Sequence, residues 1–343
     1  MSDSAMIGGA TSPAPRSRGF RLSEPVVWGV LLIAALGFAY QTWTRKPPDP
    51  AAGRSVTLWN ATPEEVTQLV FEVLTTGTTV EIERRGEGND AYLWGMMAQT
   101  APDATTPDTT YFVGGVGGQR LWEMLAAPQS PRELGVLGEN EYDWYGLNEP
   151  FARLSIRIGS ETRLLQLGSE VYGAGNRYAL DTTTGRLYVL PYNMLMLLVD
   201  PLNQLQERRV HTFDPNVVAW VTVRAGDTER TMNRSVGQLA GEAIWTSPGS
   251  SEPDLAFGDF IDRASRIWVE RYLPNLDLTT VEPVMSIEYF AADSAMIGYL
   301  DVVSHTAEDG STEYLFHSEQ TRVPAGSYAS IVEDVVRELE EIF

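Results

Sequence analysis

Two stretches far apart in the chain share one rhythm of apolar and polar residues. Residues 60–73, NATPEEVTQLVFEV, set a polar residue before Pro63, then a short polar run, then alternating apolar positions. Residues 212–225, TFDPNVVAWVTVRA, do the same around Pro215. Pro63 aligns with Pro215, Val66 with Val218, Leu69 with Val221 and Phe71 with Val223. Alternation at period two marks a half-buried strand. The parallel continues along both halves. TTVEIERR (78–85) and DTERTMNR (227–234) each predict a second strand, and segments around Trp94 and Trp245 predict a third. Helical spacing follows in GQRLWEMLA (118–126) and, over more turns, in FGDFIDRASRIWVERYL (257–273).

Glu149-Pro150 and Glu282-Pro283 then open a meander in each half, with Leu154 aligned to Ile287 and 163–167 aligned to 296–300. NRYALD (176–181) and TEYLFH (312–317) add a further strand. Each half closes on a helical pattern, YNMLMLLVDPLNQLQER and SYASIVEDVVRELEEIF. In the last of these, Ile331, Val335, Leu339 and Ile342 form one apolar stripe opposite Asp and Glu. The turns IGSETR and AEDGST are short enough to join antiparallel neighbours.

Residues 26–44, VVWGVLLIAALGFAYQTWT, carry no charge and no polar face. Nineteen residues of helix cover about 28 Å, close to the hydrocarbon thickness of a bilayer. Trp28 near one end and Tyr40 and Trp43 near the other suit the two interfaces, with Leu31, Leu32, Ile33, Leu36 and Phe38 between them. Pro47 and Pro48 stop any helix beyond. A buried core helix and a cleaved signal peptide are the alternatives, but LGFAYQ is a poor cleavage site. Arg16, Arg18 and Arg21 before the segment balance Arg45, Lys46 and Arg54 after it, so charge does not fix the orientation. The long acidic C-terminal part favours an outward ectodomain.

The expected fold class is therefore α+β: an N-terminal transmembrane helix followed by two duplicated antiparallel-sheet-plus-helix repeats. Residues 1–24 are expected as a disordered cytoplasmic tail, 25–44 as the transmembrane helix and 45–54 as a linker. Residues 55–207 and 208–343 are the two ectodomain repeats.

Composition narrows the chemistry. The 343 residues suffice for two ordinary domains, and 43% hydrophobic against 21% charged residues supports packed cores. A formal net charge of −21 repels phosphate backbones and argues against nucleic acid as a partner. The absence of cysteine excludes disulfides, thiolate nucleophiles and cysteine-ligated metal or iron–sulfur sites.

Of the three histidines, His305 and His317 flank a predicted turn and could approach across a hairpin. No carboxylate stands at ligand spacing beside them and there is no HExxH, so His211, His305 and His317 read as exposed or structural, and no metal is expected. GGVGG (114–118) lacks the Lys-Ser/Thr of a phosphate loop and reads as a strand-to-helix connection. No nucleophile elbow appears, so no catalytic or cofactor-binding residue is assigned. The most distinctive loop is GSEVYGAGNRY (168–178), in which Tyr172, Gly173, Gly175, Asn176 and Arg177 are candidates to meet a ligand or a partner backbone. The plain alternative is an ordinary long hairpin loop. The tryptophans at 59, 94, 122, 144, 220, 245 and 268 read as core before sugar platform.

The run from YGLNEPFARLSIRI through LQLGSEVYGAGNRYAL and GRLYVLP to LLVDPLNQLQERRVHTFDPNVVAWVTV resembles a bacterial domain-of-unknown-function family (DUF 4340 type). The matching features are Gly-Leu-x-x-Pro before a strand, a Leu-Gly closing the next, a Tyr-Val-Leu strand, and FDP before the second repeat. The resemblance covers most of residues 55–245 and implies one N-terminal span, an extracytoplasmic domain and proximity to ABC-2 transporters and gliding-motility-type auxiliary subunits. It brings no catalytic residues. The expectation is a non-catalytic, membrane-anchored periplasmic accessory or scaffold subunit of a bacterial envelope complex, single-pass in the inner membrane with its N-terminus cytoplasmic. Its partners would be the lipid bilayer through one helix, other envelope proteins including ABC-2 subunits, and copies of itself, with no cofactor. The alternative is a periplasmic module that binds a glycan or a lipid.

Overall fold

The computed structural model describes residues 55–100, 104, 106–173, 175–237, 243–276, 281–306 and 310–343, together with the helical residues 35–37. Residues from Arg54 onward form one compact unit. In its first half β1 (Val56–Thr57) precedes β2 (Val66–Val73), β3 (Thr78–Arg85), β4 (Tyr92–Gln99) and β5 (Asp108–Val113). Helix α1 (Val116–Ala126) follows, then β6 (Gln129–Ser130) and β7 (Glu133–Val136). Next come β8 (Ala152–Ile158), β9 (Glu161–Glu170), β10 (Arg177–Asp181) and β11 (Arg186–Leu190), with helix α2 (Tyr192–Val199) and the single turn α3 (Pro201–Gln204). The second half runs β12 (Trp220–Ala225), β13 (Thr228–Val236), β14 (Ala243–Thr246), α4 (Leu255–Ala264) and β15 (Arg271–Tyr272). It ends with β16 (Glu282–Phe290), β17 (Met296–Thr306), β18 (Thr312–Ser318), β19 (Ala325–Gly326) and α5 (Ala329–Ile342).

The first large sheet has the order β5-β4-β3-β2-β8-β9-β10-β11-β7, and the second β14-β13-β12-β16-β17-β18-β19-β15. Equivalent strands follow in the same order around a central pair, β2–β8 in one and β12–β16 in the other. Phe71 lies opposite Leu154 in the first pair, and Val223 opposite Ile287 in the second. On the next strand Leu154 faces Leu165, whereas Ile287 faces Leu300. Leu165 is thus the counterpart of Leu300, two residues from the position the pattern alignment gave it. Along β2 both Val66 and Leu69 are buried despite their odd spacing. A shift of register between Val66 and Gln68 against β8 turns both inward, the usual effect of a β-bulge.

The structure corrects the expected fold class. The chain is built mostly of strand, in three antiparallel sheets, and its helices are short. Two expected helices are broken for local reasons. The pattern over 257–273 is helical only to Ala264; beyond it Ile267, Val269 and Tyr272 are buried between exposed neighbours, and the β-branched run goes on as extended chain into β15. The pattern over 192–208 is interrupted at Asp200-Pro201, where proline disfavours helix in the residue before it.

The spanning helix is corrected as well. Among the described residues no helix is long and apolar enough to cross a membrane. The longest, α5, has 14 residues, about 21 Å of helix, and is strongly amphipathic. Trp28, Leu31, Leu32, Ile33, Phe38, Tyr40 and Trp43 lie outside the described residues, and only Leu36 falls in the helical residues 35–37. The single-pass inner-membrane placement and the bilayer contact rested on that helix, and nothing in the described structure carries them.

One apolar core runs through both halves, from Leu69, Phe71 and Leu154 to Val223, Ile287 and Leu300. The chain crosses between the halves at 205–210. There Gly115 N donates to the Leu205 carbonyl and Glu207 N to that of Val113, each at 2.7 Å. On the other side Val269 N donates to the Arg208 carbonyl at 2.7 Å, and the Tyr272 hydroxyl to that of Glu207 at 2.8 Å. The connection is therefore held as an extended strip between the end of β5 and the segment leading to β15.

Candidate functional site

Glu207 sets the geometry of the site. Its carboxylate is buried and accepts from the backbone N–H groups of Arg208 and Arg209 at 3.0 Å each. It also takes the Arg209 guanidinium in bidentate fashion, Nε at 3.0 Å and Nη2 at 2.9 Å. Burial alone would push this carboxyl up, but the Arg209 side chain and the two N–H groups together hold it below its ordinary 4.5. The chain after Glu207 is thereby aimed along the second sheet, with Val210 turned inward and His211 half-buried.

There it borders a cavity of about 490 Å³. Val210, His211, Phe213 and Val218 form one wall. Trp245 of β14 and Tyr289 of β16 form another, and Ile261, Ser265, Arg266 and Ile267 from the end of α4 and beyond it close the third. Arginines 208, 209, 234 and 266 contribute to the lining, against the single carboxylate of Asp262.

The polar interior is specific. His211 Nδ1 lies 2.9 and 3.1 Å from the two oxygens of Glu319, which also accepts from Tyr299 N at 3.0 Å. An ionised carboxylate only accepts, so Nδ1 carries the proton and Nε2 is the free position. The His211 ring packs against Phe213 and edge-on to Tyr289, each at 4.8 Å between centroids. His211 Nε2 and the Tyr289 hydroxyl are shielded from solvent and have no hydrogen-bond partner. The His211 side chain is 10% exposed and Tyr289 4%. Burial, and secondarily the Glu319 charge, raises the Tyr289 hydroxyl above its ordinary 10.0, so it stays protonated. Both residues line the cavity, but these two atoms are themselves closed off from it.

No reactive pair is assembled there. Ser265, the wall's only hydroxyl besides Tyr289, donates to the Asp262 carbonyl at 2.8 Å rather than to a base. Among the described residues no group of three His, Asp or Glu side chains is arranged to hold a metal.

No protein-family model, curated protein or solved structure matches this chain. The functional reading accordingly rests on the geometry.

The loop singled out from the sequence lies elsewhere, and none of its five residues borders the cavity. Tyr172 is fully exposed, and Gly173 and Gly175 have φ of 79° and 65°, so both serve the turn. Asn176 Oδ1 accepts from Tyr192 N at 2.9 Å, at the start of α2. Arg177 donates to the Gly168 carbonyl at 3.1 Å and stacks over Phe151 at 3.8 Å. These contacts fix a hairpin. His305 and His317 do not meet: across β17–β18, His305 faces Glu313 and His317 faces Asp301. The sequence places Arg208, Arg209 and His211 together in ERRVH. Arg234, Trp245, Arg266 and Tyr289 join them only through the pairing of β12 with β13 and β16, of β13 with β14, and the packing of α4.

Proposed function

We propose that this protein is a non-catalytic ligand-binding module whose site is the cavity beside the connection between its two halves. The observation that carries this reading is the cavity itself, about 490 Å³, whose lining sets apolar side chains beside four arginines. That volume falls within the range of small-molecule sites, which are mostly apolar with a few placed polar groups.

The first half supports the same reading by contrast. Val66, the counterpart of Val218, is completely buried, and the indole of Trp122 from α1 donates to its carbonyl at 3.0 Å. In the second half Val218 is 7% exposed and lines the cavity.

The test is a thermal-shift screen of small organic molecules on the full chain and on Ser265→Trp, which sets a bulky side chain at the cavity lining from an exposed position. Compounds should raise the Tm of the native chain and fail to do so in the variant. Shifts that survive in Ser265→Trp, or no shift with any compound, would overturn the reading.

A further inference from the structure

The cavity combines an apolar interior with cationic edges in a strongly acidic protein. The chain carries 46 acidic residues against 25 basic ones, yet the lining reverses this with four arginines and one aspartate. Arg209 is committed to Glu207. The other three have no carboxylate partner among the described residues. Arg234 reaches only the Asn216 amide oxygen at 3.3 Å, and Arg208 only the Leu202 carbonyl at 3.3 Å. The Arg266 guanidinium makes no hydrogen bond among the described residues. Guanidinium groups bind carboxylate and phosphate oxygens through paired N–H donors, and three that lack a carboxylate at the lining of one cavity favour an anion. Within, Trp245, Ile261, Ile267, Val210 and Val218 offer an apolar surface, and Phe213 adds an aromatic one. A bare inorganic anion would leave that surface unmatched, and a neutral sugar would leave the arginines unmatched.

We propose that the ligand is an anionic amphiphile: a small molecule with an apolar body and one acid group. Its body lies between the Trp245 and Ile267 walls, and its acid group meets Arg234 and Arg266. This rests on the binding reading above and adds the chemical class.

Four probes test it on the full chain: decanoate, decanol, decyltrimethylammonium and 2-naphthoate, each titrated by tryptophan fluorescence. A charge-assisted hydrogen bond is worth about tenfold or more in affinity, so decanoate should bind at least about tenfold more tightly than decanol. The cationic amphiphile should bind most weakly. Arg266→Glu, at an exposed position, should lower decanoate affinity by about tenfold and leave decanol unchanged. Preference for 2-naphthoate would make the body aromatic, and preference for decanoate would make it aliphatic; either supports the class. Equal binding of decanoate and decanol, unaltered by Arg266→Glu, would overturn the acid class while the cavity remained a binding site. If no probe binds but a neutral compound binds in a manner blocked by Ser265→Trp, the class falls and the module stands. If nothing binds, both fall.

Discussion

At position 298 a glycine decides how closely two side chains of the site can gather. A Cβ there would stand 2.4 Å from the Phe213 ring and 3.0 Å from the Glu319 carboxyl carbon. Both belong to the His211 cluster, and Gly298 lies opposite Tyr289 across β16–β17. Gly298→Ala should therefore destabilise the chain by about 1–3 kcal/mol through overpacking, read from urea unfolding. It should also weaken probe binding, because Phe213 must move. An unchanged unfolding midpoint would mean that the two strands separate more freely than the packing implies. This requirement is invisible in the sequence, where IGYL reads only as an alternating strand. His211 suffers likewise: beside His305 and His317 it is one of three unremarkable histidines, and Glu319 lies 108 residues away.

At the scale of elements the legibility was uneven, for physical reasons. Strands with clean alternation, such as ARLSIRI in β8 and the start of TTVEIERR in β3, were readable because one face is buried and the other is not. Helices were harder where apolar residues crowd. FGDFIDRASRIWVERYL satisfies helical spacing throughout, yet only its first part is helix, and the remainder supplies Ile267 and Trp268 to the cavity. The cavity wall thus spans the point where the helix ends, from Ile261 to Trp268. The α4 face itself can be tested. Phe260 is completely buried and Asp259 exposed. Phe260→Ala should cost about 3–5 kcal/mol, and Asp259→Ala should stay within about 0.5 kcal/mol. Equal effects in chemical denaturation would show that α4 is rotated from the face assigned to it.

For the whole molecule, the two large sheets share one strand order around their central pairs, β2–β8 and β12–β16. The joining of the halves is not legible in the sequence, because it combines backbone bonds to distant segments at 205–210 with one buried carboxylate. Glu207 holds the connection through Arg209 and two backbone N–H groups, and these keep its carboxyl below its ordinary 4.5 although burial opposes them. A carboxyl with a depressed folded-state value contributes stability above its unfolded value, and that contribution is lost as pH falls through the folded one. Arg209→Ala removes the bidentate partner and leaves a buried carboxylate with backbone donors alone. At pH 7 the variant should be less stable than the native chain by about 1–3 kcal/mol. The gap should narrow as pH falls through the depressed folded value, where Glu207 gains its proton in the native chain too. Urea unfolding of both chains at pH 7, 5 and 4 reads this directly. A gap that stays constant across that range would mean that Arg209 stabilises the connection by packing, and that the Glu207 charge plays no part in joining the halves.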